Sequence, residues 1–448
     1  MFLSTQRTLC WTLGVGAILF YSCLASAQEN QNAPATSPNP TRLTLQGSLD
    51  LARKNSAIFQ SAVTDAAIAK EDKKQARGTL LPSVAYDNSA IYTQGNGPGS
   101  TVRFIANNSV HEYISQGNVH EVLDVATFAQ YRAAAAAASA AKARAEIASR
   151  GLVVTVVQSY YAVLAAQKKL EATTAAAQAG EEFLKLTQSL ERGGEVAHSD
   201  VIKAELQAND RRRQLQETKL AVLNTRLDLS VLIFPNFTDN FELTDDLHSA
   251  VPLPTLPEVQ ERAVRDNPDL RAALATVQQS NNSVTASRAG YLPSLSLDYF
   301  YGIDATHFAT RTDGISNLGS SAIATLNIPI WNWGATQSKV KQAELRHTQA
   351  QRELSLTQRK LLAETQSLYA EAETASNELA SLERSAQLSS ESLRLATLRY
   401  KNGETNILEV VDAQNTALLS DSAFQDGAVR YRVALANLQT LTGELTTP

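Results

Sequence analysis

The feature that most constrains the fold is a stretch of about 65 residues, from Ala335 to Arg399, that contains neither proline nor glycine. Alanine, glutamine, glutamate, leucine and arginine dominate this stretch, and all of them are good helix formers. A single helix of this length extends roughly 100 Å, at about 1.5 Å per residue. Because such a helix cannot fold back within a globular core, the sequence predicts an elongated, mainly α-helical protein.

The chain also contains an internal duplication, in which three segments of the first half recur in the same order in the second half. The matched positions are Asn55 with Asn267, Pro82 with Pro293, Asp87 with Asp298, Gly194 with Gly403, Val201 with Val410 and Ala204 with Ala413. The duplication predicts a first repeat at 43–242, a linker at 243–256 and a second repeat at 257–443. Each repeat is expected to contain short helices, a β-hairpin and a long helical hairpin.

The β-hairpins are predicted at about 82–125 and 293–331, where apolar and polar residues alternate. In the second repeat, the apolar face consists of Leu295, Leu297, Tyr299, Tyr301 and Ile303 on one strand and Ala322, Ala324, Leu326, Ile328 and Ile330 on the other. The return strand of the first repeat alternates less clearly. Four strands per chain are too few to close a membrane barrel, so a barrel requires several chains.

The first 27 residues read as a secretory signal peptide that ends at Ala27, and the proline-rich segment 28–42 reads as a disordered arm. Both cysteines, Cys10 and Cys23, precede the cleavage site, so the mature chain is expected to lack disulfides and thiolate catalysis. Lipidation of Cys23 is the alternative form of processing. The formal net charge of -5, without a long basic block, argues against binding to nucleic acid.

The only sequence that suggests catalysis is His198-Ser199-Asp200, which contains the three residue types of a serine hydrolase. Neighbouring residues on a helix point about 100° apart, so these three side chains cannot form a catalytic relay. We interpret Ser199 or Asp200 instead as the N-cap of a helix. The six histidines show no spacing typical of a metal site. No catalytic residue, metal site or cofactor is therefore predicted.

Two further segments carry a resemblance to a known family. The segment RYKNGETNILEVVDAQN, with Tyr400, Gly403 and Asp412, and the segment LNIPIWNWGATQ, with Pro329 and Gly334, resemble motifs of the TolC-like outer-membrane efflux proteins, or outer membrane factors. The resemblance covers essentially the whole mature chain. It implies a homotrimer whose 12 strands form an outer-membrane β-barrel, continued by a long α-helical barrel across the periplasm of a Gram-negative bacterium.

The resemblance also implies a function and a set of partners. The predicted function is the outer-membrane channel of a tripartite efflux or type I secretion system, acting as a passive exit duct. The implied partners are a periplasmic adaptor (membrane fusion protein), an inner-membrane pump of the resistance-nodulation-division or ABC type, and outer-membrane lipid. The alternatives are a periplasmic adaptor or coiled-coil scaffold and, less favoured, an exported hydrolase. The transported substrate and the pump class stay open.

Several site residues follow from the same resemblance. Glu409 and Asp412 lie three residues apart on one face of a helix, and the family places such a pair at the pore constriction. The alternative is that they are carboxylates favoured by the helix dipole. Tyr400 and Asp200 are implied to close the tip through contacts between neighbouring hairpins, although Thr405 replaces an arginine of the family network. The implied adaptor-docking turns contain Gly194, Val196, Ser199, Gly403 and Thr405.

Overall fold

A computed structural model of the protein describes residues 41–93, 111–236, 240–245, 247 and 252–443. The predicted signal peptide, with both cysteines, and most of the predicted arm lie outside these ranges. The ordered chain begins earlier than expected, because Thr41 and Arg42 already belong to a strand. The last two residues of the predicted disordered arm are therefore ordered by pairing with another strand, as described below.

The two repeats contain the same main elements in the same order, as the duplication predicts. The first repeat consists of β1 (Thr41–Leu43), α1 (Leu45–Asn55), α2 (Ala57–Gly78), β2 (Ser83–Tyr92), β3 (His111–Leu123), α3 (Val125–Arg192), α4 (His198–Ile233) and β4 (Phe241–Leu243). The second consists of α5 (Leu256–Asp266), α6 (Pro268–Arg288), β5 (Ser294–Ala305), β6 (Arg311–Thr312), β7 (Ile315–Ser316), β8 (Leu318–Asn327), α7 (Ala335–Lys401) and α8 (Ile407–Thr442).

The helices α3 and α7 contain 68 and 67 residues and are the two long helices that the sequence predicts. Each extends roughly 100 Å. The shorter helices stack end to end alongside them. The side-chain amide of Asn55, at the end of α1, donates to the carbonyl of Ile233, at the end of α4, over 2.7 Å. For the helices of the second repeat, the half-buried guanidinium of Arg150 on α3 donates to the carbonyls of Leu441 and Asp266, at the ends of α8 and α5.

Four strands form one antiparallel sheet in the order β2-β3-β5-β8. Strand β3 pairs with both β2 and β5, so it joins the hairpin of the first repeat to that of the second. The pairing of Leu295 with Leu326 and of Tyr299 with Ala322 places the predicted apolar residues on one face. Tyr299 and Leu326 are 47% and 59% exposed, so this face is uncovered in the single chain. Within the described residues, the outer edges of β2 and β8 have no partner strand.

The two hairpins return to the helices differently. Strand β3 passes to α3 through the single residue Asp124, whose carboxylate accepts from the backbone N–H of Thr127 and caps the helix. Strand β8 ends at Asn327, so the predicted extension of the strand through Ile328 and Ile330 is wrong. The connection to α7 instead turns at Gly334, which has a φ of +80°.

About halfway along α3, near the junction of α1 and α4, a small two-stranded sheet packs against the long helix. Strand β1 pairs with β4 in parallel. The buried phenol of Tyr160, on α3, donates to the carbonyls of Leu43 and Thr244 and so holds both strands against the long helix. By length and composition, α3 is the one described helix with an 18-residue window apolar enough to cross a membrane, and 39% of that window is buried.

Candidate functional site at the hairpin tips

The turns that join α3 to α4 and α7 to α8 have the same backbone geometry. The corresponding hydrogen bonds are Gly194 N to Glu191 O (2.9 Å), Glu195 N to Leu190 O (2.9 Å), Gly403 N to Tyr400 O (3.1 Å) and Glu404 N to Arg399 O (2.9 Å). This pattern is a Schellman motif, which ends a helix with one residue in the left-handed conformation. Gly194 and Gly403 occupy that position, with φ angles of +77° and +72°. Glycine adopts this conformation without steric cost, which explains why both repeats carry it at the same place.

The helices that follow the turns begin differently. The predicted N-cap at Ser199 or Asp200 is wrong, because α4 begins at His198 and its N-cap is Ala197, which has no capping side chain. The backbone N–H of Asp200 already donates to the carbonyl of Ala197, so Asp200 lies inside the first helical turn. In the second repeat, the side chain of Asn406 caps α8 by accepting from the backbone N–H of Glu409 over 3.1 Å.

Behind the turns, an apolar cluster joins the two helical hairpins. Its buried members are Phe183 and Leu184 on α3, Val201, Ala204 and Ala208 on α4, Ala396 and Tyr400 on α7, and Ile407, Val410 and Ala413 on α8. The small alanines allow close helix contacts, and the ring of Tyr400 lies 5.2 Å from that of Phe183 between the hairpins. The tips therefore have a packed apolar interior and a polar exterior.

Tyr400 and Asp200, the predicted tip contact, form no hydrogen bond with each other in the single chain. The phenol oxygen of Tyr400 is buried without a hydrogen-bond partner among the described residues. Burial raises the pKa of this phenol, and the negative charge of Asp200 adds to that shift. The carboxylate of Asp200 lies 3.4 Å from the ammonium of Lys203. A contact between hairpins of neighbouring chains stays a prediction.

Glu409 and Asp412, the predicted pore pair, both lie on the exposed side of α8, but their environments differ. Glu409 Oε1 is 2.6 Å from the guanidinium of Arg399, at the end of α7, and Glu409 Oε2 accepts from the hydroxyl of Thr405. Asp412 has no hydrogen bond or ion pair within the described part of the chain. Thr405 therefore belongs to a network around Glu409.

The sequence analysis missed a polar cluster around one buried arginine that joins α4 to α8. Arg211 is only 4% exposed, and its guanidinium donates to Asn415 on α8 and to Gln214 on its own helix. The side-chain amide of Gln207 contacts this cluster as well. Burial lowers the pKa of Arg211, and no carboxylate of the described residues pairs with it. The cluster lies between two cavities of about 690 and 300 Å³.

A signal for this cluster was present in the sequence. Val201, Ala204, Ala208 and Arg211 recur at spacings of three and four residues, so Arg211 continues the apolar stripe of α4. An arginine in such a stripe either reaches out to solvent or finds an acceptor on a neighbouring helix. The acceptor, Asn415, is 204 residues away, and no local pattern identifies it.

Comparisons with known proteins agree with this architecture. The family model described as "Outer membrane efflux protein" matches residues 259–444. The chain is 24% identical to the proteases secretion protein PrtF of Dickeya chrysanthemi over 423 residues, which cover 88% of the chain and 87% of PrtF. It is 30% identical to the outer membrane protein OprJ of Pseudomonas aeruginosa, but over only 41% of the chain and 38% of OprJ.

The fold comparison covers both repeats. The crystal structure of the Campylobacter jejuni CmeC outer membrane channel superposes with a TM-score of 0.78 at 20% identity, over 89% of the chain and 85% of that structure. The matched segment, the relatives and the fold together support a TolC-like outer membrane factor. The family, the fold class and the outer-membrane location predicted from the sequence are confirmed. Members of this family of outer membrane efflux proteins serve transport.

Proposed function

We propose that this efflux-family protein is the passive exit duct of a tripartite efflux or type I secretion system and works as a homotrimer. The observation that carries this proposal is the four-stranded sheet, which exposes an apolar face and leaves two edges unpaired within the described residues. Unpaired strand edges are not tolerated in a bilayer, because their backbone groups find no hydrogen-bonding partner there. Three copies of the sheet supply 12 strands, enough for a closed barrel with lipid around its apolar face.

The long helices give the duct its second part. They start at the ends of the strands and carry the turns roughly 100 Å away, which is far enough to cross the periplasm. The turns therefore face the inner membrane, where the periplasmic adaptor and the pump would meet Val196, Ser199 and Thr405. The names of the relatives support this role, since PrtF is described as a proteases secretion protein and CmeC as a channel.

In this proposal the tip also holds the gate. Glu409 and Asp412 of three chains form the narrowest ring of the pore, and Tyr400 and Asp200 contribute contacts between neighbouring hairpins. The duct needs no catalytic residue and no cofactor, because the pump supplies the energy and the channel only supplies a path. The Arg211 cluster holds the two hairpins of each chain together above the ring.

The first test concerns assembly and the orientation of the turns. Native mass measurement and crosslinking of protein extracted from outer membranes by detergent should show a trimer. The substitution Thr405→Glu should impair export and leave the trimer intact. Thr310→Glu, in the exposed loop at the opposite end, should leave both export and the trimer intact. A stable soluble monomer would contradict the duct, and equal loss of export in both variants would contradict the orientation.

A further inference from the structure

We propose that Arg399 sets the ion selectivity of the gate by compensating the charge of Glu409, so that Asp412 supplies the effective charge of the ring. This inference rests on the proposed function, because it assumes that these side chains face the pore. It assigns Arg399, at the end of α7, a role in ion selectivity that the family resemblance does not suggest. It also gives the two carboxylates, which look equivalent in the sequence, different functions.

The first observation is that both oxygens of the Glu409 carboxylate are occupied. Arg399 Nη1 lies 2.6 Å from Oε1, and the Thr405 hydroxyl donates to Oε2. The carboxylate thus receives one charged and one neutral donor from the same turn. Its charge is balanced within the chain, without any contribution from a neighbouring protomer.

The second observation is that the turn fixes Arg399 in position. Its carbonyl accepts from the backbone N–H groups of Asn402 and Glu404, which anchors the residue at the base of the Schellman motif. Glu409 is anchored on the other side of the turn, because its backbone N–H donates to the side-chain oxygen of Asn406. The same turn therefore holds both Arg399 and Glu409, so they can form the ion pair without any rearrangement of α7 or α8.

The third observation is the contrast with Asp412. This residue lies one helical turn beyond Glu409 on the exposed side of α8, without an ion pair or hydrogen bond in the described part of the chain. A carboxylate next to a guanidinium acts on a distant ion as a dipole, whose field decays faster than that of an unpaired charge. In a trimer, threefold symmetry gives a ring with three net negative charges, although six carboxylates are present.

The charge balance predicts how each variant changes block by a multivalent cation. Arg399→Gln should unmask three carboxylates and lower the blocking concentration by about threefold or more. Glu409→Gln should leave the arginines uncompensated and raise the blocking concentration. The double substitution Arg399→Gln/Glu409→Gln removes one charge of each sign and should return the block close to wild type. Asp412→Asn should abolish it.

The experiment uses the full-length trimer in planar bilayers, with hexaamminecobalt(III) added on the periplasmic side and reversal potentials measured in a KCl gradient. Arg394→Gln is the matched control, because Arg394 is an exposed arginine on the same helix that pairs with Glu391 rather than with Glu409. Arg399→Lys keeps the positive charge and should behave like wild type. Native mass measurement of each variant identifies any loss of assembly.

The outcomes separate this inference from the proposed function. If Asp412→Asn leaves the block unchanged, the ring lies elsewhere and the proposed gate is wrong. If Asp412→Asn abolishes the block but Arg399→Gln changes it no more than Arg394→Gln does, the gate stands and the compensation by Arg399 is wrong. If hexaamminecobalt(III) blocks Arg399→Lys at the same concentration as Arg399→Gln, the inference is also wrong, because the positive charge at residue 399 would then not determine the block.

Discussion

The two helical hairpins have the same backbone at their turns but different side chains around them. Gly194 and Gly403 adopt the same left-handed conformation. The helix that follows is capped by Asn406 in the second repeat, whereas Ala197 gives no side-chain cap in the first. A duplicated turn that loses a charged side chain or a side-chain cap loses only a little stability. It cannot lose the left-handed glycine at which the chain reverses direction. The duplication preserved the geometry, and the side chains diverged.

This divergence creates the contact between the hairpins. Counting from the turn glycines, Arg211 on α4 corresponds to Ser420 on α8, and Asn415 on α8 corresponds to Leu206 on α4. A buried guanidinium needs an acceptor, and here the first repeat supplies the arginine while the second supplies the asparagine. The difference between the repeats thus provides a donor on one hairpin and an acceptor on the other.

The largest expected effect comes from removing the acceptor on α8 and leaving the buried cation. Asn415→Leu leaves the guanidinium of Arg211 with acceptors on its own helix only and should destabilise the trimer by about 2 kcal/mol per chain. Arg211→Met removes the charge as well and should cost less, because a linear apolar side chain fits the stripe of α4. Unfolding of both variants in detergent, followed by helical circular dichroism, measures the difference. Equal losses would show that the cluster contributes packing rather than charge compensation.

A smaller effect is expected from exchanging the caps of α4 and α8. Asn406→Ala should destabilise the second hairpin by about 1 kcal/mol, whereas Ala197→Asn should stabilise the first hairpin by a similar amount. Amide hydrogen exchange in the first turns of α4 and α8 reports each helix separately. If Ala197→Asn accelerates exchange in α4, the first turn does not accept a side-chain cap and the two turns are less alike than their backbones indicate.

Much of the fold follows from local patterns in the sequence. The stretch without proline or glycine gives α7 to within two residues, and the alternation in 293–331 gives the apolar face of β5 and β8. Both signals depend on neighbours in sequence, since helix and strand each impose a short period on buried residues. The left-handed glycines are equally local, because the chain must reverse between two helices.

The features that were missed depend on distant residues or on a one-residue boundary. The order β2-β3-β5-β8 brings strands from different repeats together, and β1 finds its partner β4 about 200 residues away. The N-cap of α4 fell on Ala197 because the turn geometry, rather than the capping propensity of Ser199 or Asp200, decides where the helix begins. The capping propensity of a side chain therefore predicts the N-cap only where the backbone geometry does not already fix the start of the helix.

The smallest expected effect concerns the residues just before the turn glycines, where Tyr400 in the second repeat corresponds to Glu191 in the first. Glu191 lies 2.7 Å from His198 at the surface, whereas the Tyr400 phenol is buried and its pKa is raised. A raised pKa means that the folded chain keeps this proton at alkaline pH where the unfolded chain has lost it. The stabilisation is therefore complete below the unfolded pKa of about 10 and declines as the pH rises through the folded value.

Tyr400→Phe should remove that decline, which unfolding measurements between about pH 9 and 11 would detect, with Tyr369→Phe on the same helix as control. Equal alkaline losses in wild type and Tyr400→Phe would show that burial of the phenol does not distinguish the two turns.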